Sequence, residues 1–128
     1  MRSCTLGNTE RRVSAIGLGC AGMSEGYGLR DDKQSLQTLS MALEHGVTFL
    51  DTADTFGLGH NEELLGRFLP ERSHPVTLAT KGGLVRAPNQ PPVIDNSPDY
   101  LRIACEASLR RLGTDTLDWR RSPLRGTA

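Results

Sequence analysis

Short apolar segments alternate with amphipathic helical stretches along this chain, and that order leaves few folds open. Residues 15–18, 47–51 and 76–80 have the length and composition of strands, and each is followed by a stretch with helical periodicity. In the first, Leu36, Leu39 and Leu43 share a face with Ala42 beside them; Asp31 or Asp32 starts it, His45 closes it and Gly46 caps it. The second runs from about Asn61, read as its N-cap, with Glu62 and Glu63 in the first turn and Leu64, Leu65 and Phe68 on the apolar face. The third opens at Ser97-Pro98, a cap followed by the proline that suits a first helical position. Leu101, Ala104, Cys105, Ser108, Leu109 and Leu112 form its face, Arg110 and Arg111 its last turn, and Gly113 its end.

Strand–helix alternation predicts an α/β fold with a parallel sheet. Residues 4–6 and 12–14 flank Gly7-Asn8 and predict a small β-hairpin ahead of it. Residues 82–96, with Pro88, Pro91 and Pro92, read as a long loop. Residues 116–118 open a fourth strand that the sequence does not sustain, and the tail from Trp119 carries no strand or helix pattern. The count is about three and a half βα units, roughly half of a (β/α)8 TIM barrel of about 250 residues.

At 128 residues the chain has room for one domain. Its 15 basic and 15 acidic residues cancel, which argues against a nucleic-acid surface. No apolar run reaches the roughly 18 residues of a membrane span, and the first eight residues lack a signal-peptide stretch, so a soluble cytoplasmic protein is expected. Cys4, Cys20 and Cys105 are odd in number and far apart, and His45, His60 and His74 show no metal-ligand spacing. Buried or idle thiols, with neither a disulfide framework nor a metal, follow.

Gly17-Leu18-Gly19-Cys20-Ala21-Gly22 matches G-x-G-x-x-G after a strand. The dinucleotide-binding use of that pattern requires a helix to begin at the turn, so that its amides meet a pyrophosphate. Here Gly26 and Gly28 follow, no helical pattern begins before about Asp31, and Asp51 lies too far on to be the ribose-binding acid. A glycine-rich loop that admits a ligand or another backbone is the simpler reading.

The stretch from Gly46 through Asp51-Thr52-Ala53-Asp54-Thr55-Phe56-Gly57 and Asn61-Glu62-Glu63-Leu64-Leu65-Gly66 closely resembles the signature around the second strand of the aldo-keto reductase family. The resemblance extends back to Ile16-Gly17-Leu18-Gly19-Cys20 and Gly22-Met23-Ser24. It continues through Ala79-Thr80-Lys81-Gly82-Gly83, Ser97-Pro98-Asp99-Tyr100, residues 107–113 and Leu117-Asp118. It implies a parallel barrel with the active site at the C-terminal strand ends, NADPH as hydride donor and a small carbonyl compound as substrate. Four groups act in the family: an aspartate, a tyrosine, a lysine and a histidine. Asp51 falls on the aspartate position and Lys81 on the lysine position; a plain strand-end ion pair is the alternative for the two.

The tyrosine position, five residues after Asp51, holds Phe56, which has no proton to give. Tyr27, in the loop after the first strand, and His60 are candidate substitute donors; a loop aromatic lining a pocket is the simpler role for Tyr27. The histidine position falls near Pro123, where the chain reads Trp119-Arg120-Arg121-Ser122-Pro123. On the cofactor side the resemblance assigns Gly22, Met23 and Asp51 to the nicotinamide end, while most nucleotide contacts of the family come from later strands. The expected organisation is residues 1–118 as the N-terminal half of a reductase barrel and 119–128 as a tail outside the family pattern, read as a truncation or frame change. The expected function is NADPH-dependent carbonyl reduction by lineage, catalytically impaired in this chain. The alternative is a non-enzymatic remnant, or a partial barrel that pairs through its open sheet edges.

Overall fold

The computed structural model describes residues 1–71 and 75–122. Strands β1 (Ser3–Thr5) and β2 (Arg12–Ser14) form the antiparallel hairpin expected around Gly7, whose φ of 56° suits a glycine in the turn. Four strands then build one parallel sheet in chain order: β3 (Leu18–Gly19), β4 (Phe49–Asp51), β5 (Thr77–Lys81) and, after a further short ladder, the last strand of the chain. That ladder is β6 (Leu84–Val85) against β7 (Val93–Ile94), antiparallel and inside the segment read as a plain loop. The fourth strand of the parallel sheet is β8 (Trp119–Arg121).

Helices α1 (Asp32–Glu44), α2 (His60–Phe68) and α3 (Pro98–Leu112) are the three expected. Asp31 caps α1 by accepting from the Gln34 amide, and Ser97 caps α3 by accepting from the Tyr100 amide. Gly113, at φ 66°, closes α3 in the left-handed conformation that glycine adopts without strain.

The architecture is the expected partial βα barrel, an open sheet with β3 and β8 as its edges among the described residues. Side chains alternate across the sheet with a period of two. Leu50 and Leu78 point to the helices and join Leu39, Leu43, Leu65, Phe68, Leu112 and Cys20 in the core. Phe49, Asp51 and Ala79 face the other way and, with Leu18 and Arg121, line a concave inner cup of about 510 Å³.

Three local expectations are corrected. The first strand lies at Leu18–Gly19 rather than 15–18, because its ladder partners are Leu50 and Asp51 and pairing begins only there. Asn61 is not the cap of α2; Gly59 holds that place, and the Asn61 side chain is fully buried in polar contacts. The segment from Trp119, read as patternless, forms β8, and 116–118 lie before it; parallel pairing of residues 119–121 with 79–81 prevails over unfavourable local composition.

Helices α2 and α3 meet at Gly66. A β-carbon there would run into the Arg111 carbonyl oxygen and lie 3.1 Å from the Leu112 backbone. Both obstacles are main chain, so the helices would have to separate. Gly66→Ala is therefore expected to destabilise the protein by about 1–3 kcal/mol, despite alanine's better helix propensity. A shift of the urea midpoint to lower concentration checks it; an unchanged or raised midpoint refutes the close-approach argument.

Candidate active site

Asp51 ends β4 and Lys81 ends β5, on adjacent strands, so the ladder itself brings their side chains to one edge of the sheet. Lys81 Nζ donates to both carboxylate oxygens of Asp51, at 2.5 and 2.6 Å, and to the Thr52 carbonyl at 3.1 Å. Its three protons are thereby all engaged. The ammonium also lies 5.4 Å from the centroid of the Phe56 ring, within cation–π range. The chain beyond β4 is stitched to β5 by Thr52 N–H to the Ala79 carbonyl and Asp54 N–H to the Lys81 carbonyl. Phe56 then opens a short 3₁₀ turn (Phe56–Gly59) in which Gly57, Leu58 and Gly59 all have positive φ. That reversal lets α2 start immediately behind the site.

A cavity of about 320 Å³ opens beside the pair, with Phe56, Lys81, Leu84 and Arg121 among its walls. Arg121 stands opposite Lys81 in the β5–β8 register. The loop after β3 is tied over the site by Glu25, which receives Arg86 Nη1 on both oxygens at 2.8 Å and the Gly57 N–H at 3.2 Å. The Arg86 hydrogen bond, aided by the Gly57 amide, holds the Glu25 carboxyl below the usual range against the opposing effect of burial. Cys20 is buried beside Asp51. Burial, and next the Asp51 charge, push its thiol up to about 12, so it stays protonated and unreactive at neutral pH.

Behind the site runs a polar network that links the glycine-rich loop to α2. Thr52 Oγ1 donates to Asn61 Oδ1 at 2.6 Å, and Asn61 Nδ2 donates to the Cys20 carbonyl and to Ser24 Oγ. His60 bridges Ser24 Oγ and Asp32 Oδ1. Burial acts to raise the Asp32 carboxyl, but hydrogen bonds from Arg67 and His60 outweigh it and leave it below the usual range. On the other side of α2, fully buried Glu62 accepts from Thr80 Oγ1 and from Arg111 Nε, both at 2.6 Å.

Asp51, Lys81 and Phe56 are thus brought together as the family resemblance implied, with the pair in direct contact. Tyr27 and His60 do not join them. Tyr27 is 86% exposed and lays its ring on Gly22, where a β-carbon would come within 2.9 Å of it; it does not line the cavity beside Lys81. His60 is engaged by Ser24 and Asp32. Pro123 and His74 lie outside the described residues. Of the residues assigned to the cofactor's nicotinamide end, Gly22 sits in the 3₁₀ turn Ala21–Met23 and Met23 packs against the core. The phosphates of a dinucleotide need cations. Lys81 is neutralised by Asp51 and Arg86 by Glu25; Arg121 lines the cavity with no ion pair among the described residues. Among the described residues that line the cavity, that leaves one uncommitted cation, which does not fit several phosphate charges. Arg121 and the Asn61 network escaped sequence reasoning; the only signal for either was the placement of polar residues where apolar ones suit a strand or a helix face.

An open parallel βα sheet with a lysine–aspartate pair at its C-terminal edge is the geometry of a partial βα barrel. The sequence profile of the aldo/keto reductase family matches residues 15–120. A Schizosaccharomyces pombe protein, aldo-keto reductase yakc, whose name carries NADP(+), is 38% identical over 109 residues, covering 83% of this chain and 32% of that one. The holo form of an aldo-keto reductase from Bacillus halodurans superposes with a TM-score of 0.83 at 35% identity, over 95% of this chain and 40% of its own. A putative aldo-keto reductase from Pseudomonas aeruginosa gives a TM-score of 0.87 at 30% identity, over 98% and 48%. The chain belongs to the aldo/keto reductase family, and it spans between a third and a half of the length of these relatives. Among the described residues no helix is long and apolar enough to cross a membrane.

Proposed function

We propose that the chain is an NADPH-dependent carbonyl oxidoreductase by descent whose own site is catalytically impaired. The observation that carries this reading is the Asp51–Lys81 pair with its ammonium 5.4 Å from the Phe56 ring. In such a site the lysine cation favours the ionised form of a neighbouring phenol, tuning it as a general acid toward a carbonyl oxygen. The aspartate fixes the lysine. Phe56 keeps the ring and removes the proton, so a carbonyl compound entering the cavity meets apolar walls and a cation but no acid at that position. Bound NADPH would supply hydride. The residues present do not fit its phosphates, and weak binding at most is expected of them.

A non-enzymatic role as a partial barrel that associates with another chain is the second reading. It is favoured by the edges that β3 and β8 form among the described residues and by the exposed inner cup.

Phe56→Tyr tests whether Lys81 is placed to tune an acid. The introduced phenol is expected to ionise at least one pH unit below the ordinary value of about 10, followed by ultraviolet difference spectroscopy. Lys81→Met in the same background should abolish that displacement. A phenol at position 56 that titrates at the ordinary value refutes the assignment.

A further inference from the structure

Arg121 is a cation that the proposed chemistry leaves unused. Its main chain is fixed: it stands opposite Lys81 in the β5–β8 register, and its carbonyl accepts the Gly82 N–H at 2.9 Å. Its side chain is exposed and borders both the inner cup and the cavity beside Lys81. Among the described residues it has neither an ion pair nor a side-chain hydrogen bond. The neighbouring charges are already taken. Lys81 holds both oxygens of Asp51, Arg86 holds Glu25, and Asp54, in the cavity wall, has its partner elsewhere. Ala53, Phe56 and Leu84 supply the apolar part of that wall; Ala53 is buried and the other two are half-buried. At about 320 Å³ the cavity lies at the small end of ligand pockets, which run from about 300 to 1,000 Å³.

We propose that this cavity binds a small carboxylic acid with a planar apolar body, its carboxylate on the Arg121 guanidinium and its body against Phe56 and Leu84. The charge selects a monoanion: one free cation balances one carboxylate, whereas a phosphate dianion would keep a charge without a partner. The guanidinium selects the shape of the anion, because its planar fork donates two parallel hydrogen bonds to the two oxygens of a carboxylate. The wall selects the body, since the Phe56 ring favours a flat apolar or aromatic neighbour over a hydrated one. The cation that is too little for the phosphates of a dinucleotide thus matches a single carboxylate. Joined to the carbonyl chemistry proposed above, the same fork would select oxo-acids over neutral aldehydes and ketones. That extension rests on the proposed function; the binding does not, because it needs neither a proton donor nor NADPH.

Titration of the isotope-labelled full chain with benzoate, followed by NMR of the Arg121 Nε–H and the Phe56 ring protons, tests the site. Both signals are expected to move along one saturable curve. Benzamide keeps the body and removes the charge, and should bind at least about tenfold more weakly. Acetate keeps the charge and removes the body, and should also bind at least about tenfold more weakly. Inorganic phosphate should bind no better than acetate. Arg121→Met should lose about tenfold to a hundredfold in benzoate affinity, and Arg121→Lys, which keeps the charge without the fork, should recover only part of it. Unshifted Leu50 and Leu78 amides would show that either variant is folded; where one is not, the ranking of benzoate, benzamide and acetate on the wild type decides. Equal affinity for benzoate and benzamide, wild-type benzoate affinity in Arg121→Met, or displacement of benzoate by an equal concentration of phosphate would overturn the proposal. Phenylglyoxylate should bind as benzoate does, and acetophenone as benzamide does. If carboxylates bind at Arg121 while the Phe56→Tyr phenol titrates normally, the carbonyl reading fails and the binding site stands. If the phenol is displaced and benzoate does not bind, the carbonyl reading stands and the carboxylate site fails.

Discussion

Purified protein is expected to oxidise NADPH with aldehydes or ketones at least about 10²–10⁴-fold more slowly than a complete aldo-keto reductase, and Phe56→Tyr is expected to leave it slow. The first figure is the ordinary contribution of one positioned general acid. On the proposed reading Phe56 occupies the place of that acid, and neither Tyr27 nor His60 lines the cavity to replace it. The second expectation has two causes. On the same reading the sequence from Trp119 has arginines and then Pro123 where the resemblance places the family's histidine. Of the cations near the site, Lys81 is committed to Asp51 and Arg86 to Glu25, which leaves Arg121 alone among the described cavity-lining residues. A tyrosine at position 56 would restore the acid without restoring either the orienting histidine or the phosphate partners. Steady-state oxidation of NADPH, followed by the absorbance of its reduced nicotinamide with both proteins, checks the expectation. Robust turnover by Phe56→Tyr would show that the acid was the only missing part.

Arg111→Ala is expected to cost about 3–5 kcal/mol of folding stability, the range for breaking a buried ion pair from one side. Glu62 is fully buried, and its carboxylate has two partners, Thr80 Oγ1 and Arg111 Nε. Removing the guanidinium leaves the buried carboxyl group with one neutral hydrogen bond, from Thr80. The Arg111 side chain also covers Gly59, its Cδ lying 3.0 Å from where a β-carbon would stand, so packing is lost as well. Domains of this size have about 5–15 kcal/mol in total, so the variant should melt more than about 10 °C lower, or be unfolded at room temperature. Replacing both partners, Glu62→Leu with Arg111→Met, should recover much of the loss, because neither charge then remains buried. Thermal unfolding followed by circular dichroism reads both. A single variant within a few degrees of wild type would show that water reaches Glu62.

The chain's local chemistry settled the order of its elements and the spacing of its site. Leucines at helical spacing, Asp31 and Ser97 as caps and Gly113 as a stop are short-range signals, and the helices follow them closely. Asp51, Phe56 and Lys81 were legible because the family resemblance assigns them, and adjacent parallel strands then bring Asp51 and Lys81 to one edge. Tertiary structure alone decided the rest. The first strand starts at Leu18 because pairing with Leu50 begins there. Trp119–Arg121 is a strand because β5 offers an open edge, although arginines are poor company for a buried sheet. Asn61 looks like a helix cap in sequence and proves to be a buried amide shared by Thr52, Cys20 and Ser24, residues that lie 9, 41 and 37 positions away. Glu62 and Arg111 are 49 apart. Apolar periodicity and turn chemistry act over a few residues and can be read along the chain. A buried polar group is satisfied by whatever partner the sheet register and helix packing deliver, and that partner has no fixed distance in sequence.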